Sequence, residues 1–391
     1  MGRLIVRWWL VILAGLLFWP QLGAAEKAIT GNDGNSTLID GVLVHEPGGM
    51  DTISIIDLGT APPSVVTIRD VGNSIFGPPT NLIITPDEQL ALVAEAVKIV
   101  EEKGEPTIVK ADLVHVIDLT SSPPGKIGSV RVGLQPSGMA LSPDGKTALV
   151  CNRAGNSVSV LRVEGKDVTL VDTVEIGDQV THVSFTPDGT NALVNKYEKA
   201  AIGLLEVKGT KVTDTGIEIP VGRYPYSHVV TPDGTLALVP NMGSTGRSDG
   251  HMGSLTVIDL TVAPPRVIDT LTVGDTPEGM AVSPDGKLAA TGELGGADAP
   301  PDAWFYNPRS TTTILKIEGK KVSPVKTIKT GRIGESVAFT PDGKYLLIAN
   351  LLDNNVMAFE IENGEIKEPP IIIEVGNGPG AMRTVIPYGK P

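Results

Sequence analysis

Five copies of one short turn constrain this chain more than any other feature. They are Ser142-Pro143-Asp144-Gly145, Thr186-Pro187-Asp188-Gly189, Thr231-Pro232-Asp233-Gly234, Ser283-Pro284-Asp285-Gly286 and Thr340-Pro341-Asp342-Gly343. A sixth, Thr85-Pro86-Asp87-Glu88, has lost its glycine. Proline pre-sets φ at the first central position, aspartate suits the second, and glycine takes the left-handed residue that closes a tight hairpin. Apolar runs such as Ala148-Leu149-Val150-Cys151 follow each copy, so each reads as two antiparallel strands. A glycine stands ten residues before the proline in five copies, at 133, 177, 222, 274 and 331. The prolines are 57, 44, 45, 52 and 57 residues apart. Periods of this size belong to solenoids, propellers and arrays, and all-β units of four strands select the propeller.

Residues 1–25 stand outside the repeats. Arg3 and Arg7, the apolar run to Trp19 and the small residues Gly23-Ala24-Ala25 have the layout of a cleaved secretory signal peptide. The expected location is therefore periplasmic or secreted, with no membrane span after cleavage. The expected domains are the leader, 1–25, and one propeller, 26–391. Removing the leader leaves 30 basic and 45 acidic residues, a net charge of −15, which argues against nucleic acid as a partner. The single cysteine, Cys151, ends an apolar strand and reads as a buried, inert thiol.

Six complete strand sets follow the template. Glu26 to about Ile39 reads as a disordered lead-in. Val42-Leu43-Val44 and Thr52 to Leu58 then resemble second and third strands without a first, and Gly376 to Gly389 a first strand without successors. The sequence thus predicts an all-β, seven-bladed propeller whose two ends share one blade, closing a ring that would otherwise expose strand edges.

The repeat from Gly133 to Asn152, Gly-x-x-Pro-x-Gly-Met-Ala-Leu-Ser-Pro-Asp-Gly-Lys-x-Ala-Leu-Val-x-Asn, resembles the YVTN-type β-propeller family. The resemblance covers nearly all of the chain after the leader. It implies the propeller fold and an exported protein, with lactonases and non-catalytic subunits of redox enzymes among related propellers. Fold alone does not assign function.

Two rings of residues are expected at the channel mouth. One precedes the inner strands: Gln135, Ser137, Thr181, His182, Arg223, Tyr226, His228, Glu278, Arg332, Glu335 and Arg383. The other lies nine residues after each turn proline: Glu95, Asn152, Lys196, Asn241, Glu293 and Asn350, with His45 or Glu46 added by the first blade. Asparagine at a strand end also folds its amide onto local backbone, so this ring is either a ligand ring or a set of strand caps. Glu95, Lys196 and Glu293 depart from asparagine without any need of the repeat. His182 and His228 occupy neighbouring registers and are either packing residues or, with Glu278, Glu335 and Arg332, an acid–base or metal constellation, to which the enzyme reading adds Arg383. The sequence carries no metal motif, no haem-attachment motif and no nucleophile elbow, so no cofactor and no metal are expected.

Long insertions flank the mouth at Ala94–Asp112, Met242–Gly253 (with His251) and Leu294–Thr311. The last carries Trp304-Phe305-Tyr306, read as a lid or partner anchor or as packing on the propeller top. Three functions stay open: a monomeric, non-catalytic propeller binding a small molecule or protein at its top face; a lactonase-like hydrolase or isomerase using the same funnel; or an accessory subunit of an exported redox enzyme.

Overall fold

The computed structural model describes residues 27–45, 48–73, 77–243, 246–386 and Tyr388. The leader and Glu46 lie outside these. Among the described residues, six four-stranded antiparallel sheets and one in which the short strand Glu365–Ile366 adds a fifth make seven blades. Blade 2 holds Leu82–Ile84, Leu90–Glu102, Glu105–Asp118 and Gly125–Arg131, and blades 3 to 7 repeat the order through Ile371–Glu374. In blade 1 the inner strand, Pro379–Thr384, comes from the C-terminal end. Beside it run Lys27–Asn32, Thr52–Asp57 and Ser64–Arg69.

The ends share a blade as expected, but by a different pairing. The strand beside Pro379–Thr384 is Lys27–Asn32, with Ile29 opposite Arg383, and not Val42–Val44. The lead-in is therefore a blade strand, with Ala28 and Ile29 fully buried. Its short Ala-Ile-Thr core is masked in sequence by polar neighbours. Val42–His45 pairs with Ser36–Ile39 in a separate hairpin. The charged segment from Ala94 to Asp112 is likewise no loop. The second and third strands of blade 2 extend as a hairpin whose tip is Lys103-Gly104, both at positive φ. That is the two-residue turn that matches strand twist.

Packing explains the apolar runs. Leu149 and Cys151 face blade 4 in one cluster, whereas Ala148 and Val150 face blade 2 in another. Alternate side chains leave opposite faces of a strand, so a strand covered on both faces is apolar throughout. Burial also pushes the Cys151 thiol well up, keeping it protonated. The turns interlock too. Gly145, Gly189 and Gly234 have φ near +70°, and a Cβ at each would meet the previous blade's turn proline at 3.2–3.4 Å.

Candidate active site

The ring nine residues after the turn prolines is buried inside the blades. Asn152, Asn241, Glu293 and Asn350 are at most 1% exposed. Asn350 Oδ1 accepts from the Gly331 N–H at 2.8 Å, and Glu293 Oε1 from Gly274 at 2.9 Å. Asn152 Nδ2 donates to Ser157 and Ser159 at 3.0 Å, and Asn241 Nδ2 to Thr256 at 3.0 Å. Asn350 and Glu293 thus cap the glycine loop entering their blades, while Asn152 and Asn241 sit against Gly133 and Gly222 and tie the second strand to the third, so all four are enclosed by their own blades. Asn32 performs the same role in blade 1, bonded to Thr52 and Ser54. Lys196 is 2% exposed, turned outward past Gly203 to Glu218 at 2.7 Å and Asp214 at 3.6 Å. Glu95 faces a cleft between blades 1 and 2, beside His115 at 3.5 Å and Lys98 at 3.4 Å. Burial raises its pKa, but those two neighbours outweigh it and hold the carboxyl below its ordinary value.

The next position along the same strands carries mouth residues. Tyr197 and Met242 pack with Tyr226, and the Arg153 guanidinium lies 5.5 Å from the Tyr197 ring centre and 5.8 Å from that of Tyr226. One residue along a strand is the other face, and sequence reasoning missed Arg153 and Tyr197 by that single step. Tyr226 itself is buried in this cluster.

Beside this cluster the carboxyls of Glu278 and Glu335 lie within hydrogen-bonding reach of one another. Burial raises both, each like charge adds to it at Glu335, and the pair holds a proton that isolated glutamates would have lost. Arg153 acts on Glu278 in the opposite direction, and Asp298 from the 294–311 insertion raises both carboxyls. Asp298 also accepts from the Ser248 N–H at 3.2 Å, which brings both long insertions to this side. Arg153 makes no ion pair among the described residues and is free to hold an anion.

The six residues read as one set, His182, His228, Glu278, Glu335, Arg332 and Arg383, divide into three places. Arg332 lies on the surface, ion-paired with Asp353 at 2.7 Å and bonded to the Leu352 carbonyl, and takes no part in either site. His182 and His228 lie deeper than the carboxyl pair, ring centres 4.8 Å apart, in a channel cavity of about 90 Å³ that Arg383 and Tyr388 also line. His228 Nδ1 meets Asn195 Oδ1 at 2.6 Å, so it carries the proton and leaves Nε2 as a bare acceptor. Among the described residues Arg383 Nε has no hydrogen-bond partner either. Burial holds both histidines well below their usual range, so they are neutral, and lowers Arg383 to about 10, so it stays charged. Trp304 is 80% exposed, stacked edge-on against Phe305 and over Gly250.

With this geometry in hand, similarity to known proteins narrows the reading. Residues 109–244 match the family described as Lactonase, 7-bladed beta-propeller. That match covers about a third of the chain and spans Arg153, His182, Tyr197, Tyr226 and His228, and it is a likeness to the propellers that the repeat motif had placed as relatives. No curated protein matches the chain. Among solved structures, a putative 6-phosphogluconolactonase of Bacteroides fragilis is 19% identical with a TM-score of 0.67, over 94% of this chain and 99% of its own. The periplasmic gluconolactonase of Pseudomonas aeruginosa is 17% identical with a TM-score of 0.64, over 93% and 99%. Kuenenia stuttgartiensis hydrazine synthase is 19% identical with a TM-score of 0.59, over 80% and 90%. At these identities the likenesses show the fold.

Proposed function

We propose that the chain is a lactone hydrolase acting at the channel mouth, with Glu278 and Glu335 as its acid–base pair. The carboxyl pair carries this reading: two groups that cannot both ionise supply one acid and one base at neutral pH. The ionised carboxylate takes a proton from water as the water oxygen attacks the ring carbonyl. The protonated partner gives its proton to the ring oxygen as the C–O bond breaks, leaving a hydroxy acid. Arg153, held by Tyr197 and Tyr226, stabilises the developing oxyanion. The lactonase family match supports the reaction class. The leader and the YVTN-type repeat support export, and the acidic surface a role away from nucleic acid.

The deeper cavity supports a binding step in the same protein. Arg383 offers a donor and His228 Nε2 an acceptor, the complement of a carboxylate and a hydroxyl on one small molecule. A pH-stat assay over γ- and δ-lactones tests the reaction. Calorimetric titration with hydroxycarboxylates, and its loss in Arg383→Gln, tests the second pocket.

A further inference from the structure

In several blades a diagonal row of polar side chains links the end of the second strand to the third strand and then to the fourth. In blade 3 it is Asn152, Ser159 and Thr173, and in blade 5 Asn241, Thr256 and Thr270. Blade 1 has Asn32, Ser54 and Thr67. In blade 2 the same row reads Glu95, His115 and Ser129. His115 Nδ1 lies 2.8 Å from Ser129 Oγ, and its Nε2 lies 3.5 Å from Glu95 Oε2. Glu95 and His115 are buried, whereas Ser129 is exposed. All three line a cleft of about 500 Å³ between blades 1 and 2, with Lys98 and Lys126 also facing it.

From this geometry we infer a second catalytic centre, in which Ser129 is an acyl-accepting nucleophile, His115 its base and Glu95 the group that orients the base. Glu95 Oε2 and His115 Nε2 face one another with no hydrogen-bond partner among the described residues, and closing that 3.5 Å gap places the imidazole proton on Nε2 and turns the Nδ1 lone pair to the serine hydroxyl. An asparagine–serine–threonine row needs neither the imidazole nor the carboxylate to cap its loop, and blade 2 alone carries both. The substrate class is a small, hydrophilic carboxylic ester, because Asp33, Asn35 and Asn73 line the cleft beside the three. Ser129 Oγ bonds to the acyl carbon as its proton passes to His115 Nδ1. The bond to the alcohol oxygen breaks, and that oxygen takes the proton from His115. Water then repeats the sequence and releases the acid. This centre does not depend on Glu278 or Glu335.

The test is labelling of the full chain with a fluorophosphonate, with the labelled residue located by peptide mass. Ser129 is expected to label, His115→Gln to slow labelling about 10²-fold, and Glu95→Gln to slow it by at least about tenfold, general-base help being worth about 10²–10⁴. Ser64, an exposed serine on the outer strand of blade 1, is the internal reference. Labelling of Ser129 in the native chain no faster than of Ser64 overturns the proposal, whatever the variants do. Equal labelling of native protein and folded Glu95→Gln overturns the assigned roles as well.

Discussion

The Gly331 N–H donates to Asn350 Oδ1 at 2.8 Å, and a Cβ on Gly331 would lie 2.5 Å from Asn350 Cγ. The glycine is required because the capping amide occupies the space beside it. Gly331→Ala is therefore expected to cost about 1–3 kcal/mol through overpacking. Asn350→Ala strands a buried N–H and costs about 1–3 kcal/mol. Urea unfolding of the double variant should show somewhat less than the sum, since losing Cγ removes one of three close contacts while Asn350 Cβ at 2.7 Å and Asp353 Oδ2 at 2.6 Å remain. Additive losses would disprove the latch.

Lys196 is buried and its partner Glu218 is not, so the two halves of the ion pair are unequal. Glu218→Gln strands the ammonium with only Asp214, whereas Lys196→Met leaves a solvated carboxylate that Lys199 still reaches at 3.1 Å. The expected order of urea midpoints is native, then Lys196→Met, then Glu218→Gln. The hydrogen bond from Lys196, then that from Lys199, holds Glu218 below its ordinary value. Its stabilisation is thus full above the unfolded glutamate range and is lost as pH falls through the lowered value. The reverse order of midpoints would contradict this assignment.

Much of the ring was legible because its turns repeat in residues whose backbone chemistry is local. Pro143, Asp144 and Gly145 specify a hairpin wherever they stand. The closing strand was not, because Lys27–Asn32 carries no turn of its own and is defined only by distant partners, Asp57 opposite Lys27, 30 residues on, and Met382 opposite Thr30, 352 residues on. At the mouth, residues chosen by their offset from the turn proline include Glu278 and Glu335, which the fold brings together, and Tyr226, which packs with Tyr197 and Met242. The offset could not say which face the second-strand residues take, and so selected Asn152 and Lys196 in place of Arg153 and Tyr197. Arg332 failed for another reason: Asp353, 21 residues on, pairs it at the surface.

The Glu278–Glu335 pair predicts a pH-dependent stability of definite sign. Both carboxyls are raised, so between the ordinary glutamate value near 4.5 and their raised values the folded state binds more protons than the unfolded one. Stability is present below that window and falls as pH rises through it. Asp51, raised to about 7 by burial and by Asp33, adds the same sign. A Glu278→Gln, Glu335→Gln double variant should show a shallower loss of Tm from pH 5 to 8. A slope equal to that of the native chain would remove the pair from the account.

Trp304 is 80% exposed and, once residues 1–25 are removed, is the only tryptophan. Its emission should lie near that of free indole in water and be quenched readily by acrylamide. Protection by a docked ligand or protein would identify the 294–311 insertion as the covering element. Blue-shifted emission that resists quencher in the free protein would place the side chain in a packed site instead.

The most direct test of the catalytic reading is the rate of acid release from a γ- or δ-lactone by native protein and by Glu278→Gln. The substitution keeps the shape of the side chain and removes its ability to exchange a proton. We expect native turnover that falls by about 10²–10⁴ in the variant, with the fold intact by circular dichroism. Lactone opening at the native rate in folded Glu278→Gln, or none by the native chain across the panel, would contradict the assignment.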